Sequence, residues 1–214
     1  MVPVRSLIKV VVVLGVLGGL GFMFVRSAQD AREVPYTIDP AHLQNWTLSL
    51  ESAPLPAAPM LVLRPPPELA PSMFRQVFSR GMESLSAPNV PAIPLLLRSE
   101  FESAFGGRLP ADALLATARA AGLESAIFTP RCLAHRRVSD PGVTRQLFFV
   151  LFDAPGFDQF RRQIASLPEA SGGAFDSVAL SPVLFIGASQ DSLNRWLPLR
   201  ADPEGDCVAP ITIG

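Results

Sequence analysis

Lysine is almost absent from this 214-residue chain. Of its 18 basic residues only Lys9 is a lysine, and histidine and cysteine number two each. Charged residues make up 17% of the sequence, below the usual quarter, and the formal net charge is −1. So balanced a chain has neither the basic field of an ordinary nucleic-acid-binding protein nor an acidic disordered tail. Two cysteines exclude a disulfide-dense miniature scaffold and a four-cysteine zinc site. The motifs of common chemistries are missing as well: no G-x-S-x-G elbow, no H-E-x-x-H, no P-loop, no G-x-G-x-x-G and no C-x-x-C-H haem attachment. No cofactor and no metal are therefore expected, and no nucleic-acid partner.

What is present begins with a hydrophobic run. Residues 10–25 carry no charged or polar side chain. Extended back to Leu7, the segment makes about 28 Å of helix at ~1.5 Å per residue, and a bilayer core is about 30 Å thick. Lys9 must then snorkel toward the headgroups. Arg5 and Lys9 precede the run, and Arg26, Asp30, Arg32 and Glu33 follow it. The positive-inside bias is small, but so short a leader stays in the cytoplasm while the long domain is exported. A cleaved signal peptide is the competing reading, yet its best cut, after Ser27, would place bulky Val25 where a small residue belongs. A buried core helix would need a polar face, which this segment lacks. Gly15 and Gly19 form a GxxxG spacing through which two such helices pack. The expectation is a single-pass signal-anchor that contacts the membrane through residues 7–25, with a protein partner or a homodimer beyond it.

Twelve of the 22 prolines lie between residues 35 and 94. Residues 27–58 show no sustained period apart from the alternation Trp46-Thr47-Leu48-Ser49-Leu50, and read as a proline-stiffened tether. The expected division is 1–26 leader and anchor, 27–58 tether, and 59–214 exported domain. Asn45-Trp46-Thr47 is a glycosylation sequon, meaningful only in a eukaryotic secretory pathway.

Within 59–214 the apolar spacing predicts a strand at Met60–Leu63, a helix from Glu68 to about Leu85, and another over 110–121 stopped by Gly122. Cys132–Val138 and Thr144–Phe152 flank Asp140-Pro141-Gly142, a strong turn signal, and make a hairpin. Leu147 to Phe152 is apolar on both faces, which suits a central strand. Helix 156–167 places Phe157, Phe160, Ile164 and Leu167 inward and Arg161, Arg162 and Gln163 outward. Strand 183–186 follows, then a short helix from Ser189 to Leu197. Last comes a tail, Cys207–Ile213, whose Pro210 suits an edge strand. The fold class is α+β, a mainly antiparallel sheet packed by helices. Its α-β-β-α-β order resembles the ferredoxin-like sandwich, which implies no particular activity.

The candidate site is basic. His135 and Arg137 share a strand face, and in a simple register Arg145 falls near them across the turn. Guanidinium groups bind carboxylate and phosphate in bidentate fashion, so the three make a candidate anion site. The plainer reading is a solvated hairpin end balanced by Asp140, Asp153 and Asp158. Cys132 and Cys207 are a disulfide candidate in an oxidising compartment; with His135 they are also the one conceivable zinc set. The functional expectation is a membrane-anchored, non-enzymatic accessory or interaction domain facing the periplasm or cell exterior. Two alternatives stay open: a membrane-tethered hydrolase acting on an exported substrate, with His135 at its site, and an anion- or lipid-binding sensor domain using the arginine cluster.

Overall fold

The computed structural model describes residues 15, 18–19, 35–81, 84–170, 175–189 and 193–214. The chain divides into two units, Met1–Pro35 and Tyr36–Gly214. In the first, Gly15, Gly18 and Gly19 are helical and exposed, with open space where a Cβ would stand. Among the described residues no helix is long and apolar enough to cross a membrane. The expected span 7–25 lies, apart from those three glycines, outside the described residues.

The second unit begins with β1 (Tyr36–Ile38), β2 (Thr47–Leu50) and β3 (Pro59–Arg64). Helix α1 (Leu69–Arg80), β4 (Ile93–Leu97), α2 (Arg98–Phe105) and α3 (Ala111–Ala120) come next. Then follow β5 (Thr129–Asp140), β6 (Val143–Asp153), α4 (Pro155–Ala165), β7 (Val183–Ser189), α5 (Pro203–Asp206) and β8 (Cys207–Ile213). Two sheets result. The larger has the order β1-β8-β5-β6-β7 and the smaller β2-β3-β4. All pairs are antiparallel except β1 with β8. The α+β expectation with a mainly antiparallel sheet is met in the described strands. The ferredoxin-like wiring is not, because β6 and β7 are neighbours and antiparallel. Helix α4 therefore spans a long hairpin rather than a split β-α-β crossover.

The tether reading of 27–58 needs correction from Tyr36 onward. Strands β1 and β2 belong to the sheets, and Tyr36, Trp46 and Leu48 are buried in the common core. The Trp46 ring lies 4.8 Å from that of Phe128 and edge-on to Phe152, while its Nε1 donates to Leu43 O. Strand β1 is only three residues long, too short for a period to show, and the alternation that marks β2 stands isolated among prolines. The compact unit thus starts at Tyr36, not Pro59.

Strand β6 is central, as its two-sided apolarity requires. Strand β8 is not an edge in the strand order, contrary to expectation. Its first half pairs with β5 (Cys207, Ala209, Pro210) and its second half with β1 (Ile211, Thr212, Ile213). Pro210 stands at the changeover, where the missing N–H interrupts neither ladder.

Hydrogen bonds from outside the strands blunt the sheet edges. On β1, Gln76 of α1 pairs with both backbone groups of Thr37, accepting its N–H at 3.0 Å and donating to its C=O at 2.8 Å. On β2, Glu124 accepts the N–H of Leu48. Along β7, Ser86 forms a two-bond bridge with Ala188. Such cover removes the template that another strand would extend.

Candidate functional site

The three expected anion ligands all sit on the β5–β6 hairpin. Pairing continues to the two-residue turn Pro141-Gly142, where Gly142 takes φ +85°. The register sets His135 opposite Phe148, Arg137 opposite Gln146, and Arg145 opposite Val138. Paired residues share a sheet face and successive residues alternate faces. His135 and Arg137 are therefore on one face and Arg145 on the other. The tight turn, one residue out of step with the simple register, divides the set.

His135 is engaged by its neighbours. Its Nε2 lies 2.7 Å from Gln146 Oε1, and its ring stacks on Phe148 at 4.4 Å. The Nε2–Gln146 contact and the ring stack tie His135 to β6. Arg136, on the opposite face, is equally committed. It grips buried Asp206 in bidentate fashion (Nε–Oδ1 3.1 Å, Nη2–Oδ2 2.5 Å) and donates to Arg200 O. Asp206 also accepts the N–H of Asp202, so β5 is fastened to α5.

Cys132 and Cys207 are disulfide-bonded across β5 and β8, with Cα atoms 5.7 Å apart. Both sulfurs are used, which disposes of the zinc set with His135. Among the described residues no group of three or more His, Cys, Asp or Glu is placed to hold a metal ion.

Arg161 overturns its outward assignment. It is fully buried, and its donors reach Glu100 Oε1 (2.7 Å), Leu95 O (2.9 Å), Ser177 O (2.9 Å) and Asp176 O (2.5 Å). The Phe175 ring lies under the guanidinium at 4.7 Å. Glu100 in turn accepts the N–H of Leu97 and so starts α2. Leu95 sits at a register shift between β3 and β4, and Arg161 occupies its carbonyl. This network joins α4 to the smaller sheet. A buried charge of this kind is tolerated only when its partners are complete.

Two of the grooves formed by the described residues bear on function. One, of about 490 Å³, is lined by Leu43, Asn45, Trp46, Ile127, Phe128 and Ile213. Ile127 is 80% exposed beside it, and Asn45 takes the left-handed φ of 61°. The other, of about 410 Å³, lies where β5 begins and β6 ends, opposite the hairpin turn. Leu151, Phe152 and Leu180 are its buried floor. Arg131, Arg162, Arg200, Asp153 and Asp158 are its rim. Arg200 escapes sequence reasoning, since it stands alone after a loop and only the tertiary fold carries it to Arg131 and Arg162. The fold and these surfaces define an α+β domain with charge-rimmed and apolar grooves. No family model, no curated protein and no solved structure matches the chain.

Proposed function

We propose that this chain is a membrane-anchored accessory domain, held by residues 7–25, whose Tyr36–Gly214 unit lies in the periplasm or at the cell exterior and acts by binding rather than catalysis. The observation that carries the location is the Cys132–Cys207 bond, because disulfides persist in oxidising compartments and are rare in a reducing cytosol. The uncharged run 10–25 supplies the matching export signal. The binding role is supported by how polar side chains are spent on the fold. His135 serves Gln146, Glu100 serves Arg161, and Asp206 serves Arg136. Each of these side chains is a structural tie, and the same unit presents a groove with a charged rim and one lined mostly by apolar side chains.

Extraction of membranes tests the anchor. The full-length chain is expected to stay in the pellet through high-salt and carbonate washes, with an intact mass that includes Met1 or Val2. A mature form beginning at Ala28, released by the washes, would overturn it.

A further inference from the structure

We infer that the groove rimmed by Arg131, Arg162 and Arg200 binds a small ligand that carries a carboxylate or phosphate group on a short apolar body. This goes beyond the accessory role and does not depend on where the chain resides.

The chain spends its guanidinium groups heavily on its own fold. Arg98 donates to Ala53 O and Glu51 O, Arg136 to Asp206, and Arg161 to Glu100 and three carbonyls. Arg162 and Arg200 depart from that habit. Neither guanidinium has an ion pair or hydrogen bond to a described residue, yet both face the same groove. The third, Arg131, is held only at 3.5 Å by Asp153, with both side chains about half exposed. A pair so loose and so solvated contributes little and yields readily to a better acceptor.

The arginines are presented from fixed backbone. Arg162 lies in α4, where its carbonyl accepts the N–H of Ser166. Arg200 is pinned on both sides and at its own carbonyl. Leu199 O accepts from Ser181 N, Ala201 N donates to Ser181 Oγ, and Arg200 O accepts from Arg136 Nη2. Forks held on rigid supports lose less freedom on binding, which is what a preformed oxyanion site requires.

Size and charge agree with that ligand. A space of about 410 Å³ falls within the range of small-molecule clefts. Three cations face two carboxylates, Asp153 and Asp158, so the rim carries an excess of one positive charge. Asp158 stands one helical turn before Arg162 but makes no ion pair with it, which leaves that guanidinium open to an added acceptor. The floor of Leu151, Phe152 and Leu180 offers an apolar seat beneath the rim. An oxyanion with a short hydrocarbon tail satisfies both surfaces at once.

Calorimetric titration of the full-length chain in a non-ionic detergent tests this, with butyl phosphate, butyrate and inorganic phosphate as probes. At least one butyl oxyanion is expected to bind saturably and more tightly than inorganic phosphate, and to weaken as salt is raised. Arg162→Gln and Arg200→Gln should each lower its affinity about tenfold or more. Arg137→Gln, at the far end of the hairpin, should leave it unchanged. The tighter of butyrate and butyl phosphate identifies the headgroup. Absence of saturable heat up to roughly 10 mM would overturn the proposal. So would binding that survives the Arg162→Gln/Arg200→Gln double variant, or equal affinity for inorganic phosphate. All three arginines of the rim are exposed, so unchanged melting of the variants separates lost binding from lost fold.

Discussion

At the scale of single residues, Arg161 shows how position and chemistry part company. It follows Phe157 by four residues and precedes Ile164 by three, so the helical period places it on the buried stripe of α4. Its charge argues for the outside, and in this helix the period wins because Glu100 and three carbonyls are waiting. The burial was legible in the spacing, but its partners were not, since Glu100 and Asp176 are distant in sequence. Glu100→Gln, which leaves the guanidinium buried without its counter-charge, is expected to cost about 3–5 kcal/mol in chemical denaturation. A cost below about 1 kcal/mol would mean that water reaches the pair. Gln76 makes a smaller, local case. Gln76→Ala removes both bonds to Thr37 and should lower stability by about 1–2 kcal/mol, with faster hydrogen exchange at the Thr37 amide.

Among the elements, length decided what could be read. The 12-residue β5 and 11-residue β6, joined at Pro141-Gly142, and the amphipathic α1, α3 and α4 were visible from alternation, helical spacing and turn chemistry. Gly122 does take the left-handed conformation, φ 71°, after α3. Strand β1 was missed because it has three residues among prolines, whereas β2 showed as the alternation Trp46–Leu50 but was assigned to the tether. Helix α2 was missed too, although Glu100 at its third position is an N-terminal signal. Strand β8 was found but placed wrongly, because nothing local says that its partner changes at Pro210. The candidate anion set failed on register, a property of the turn rather than of the residues. These facts predict the boundary of the folding unit. A chain starting at Tyr36 should unfold cooperatively by heat, whereas one starting at Pro59 loses the Trp46–Phe128–Phe152 packing and the β1 pairing of β8, and should not. Cooperative melting of the shorter chain would return residues 36–58 to the status of a tether.

For the whole molecule, the covalent tie and the hydrophobic run belong to one account. The Cys132–Cys207 bond closes a loop with a sequence separation of 75 and secures β8, the strand that carries the contacts of β1. Loop-closure entropy assigns such a bond about 4 kcal/mol, so Cys132→Ser/Cys207→Ser should lower the melting temperature by roughly 10 °C. A shift of only one or two degrees would make the bond incidental to the fold. The central claim, an anchored chain with its folded unit outside the cytoplasm, is tested most directly by reporter fusions after Gly214 in the organism that makes it. Alkaline phosphatase, which matures only after export, should be active in that fusion, and green fluorescent protein, which matures only in the cytoplasm, should stay dark. A fluorescent fusion with an inactive phosphatase would contradict the account.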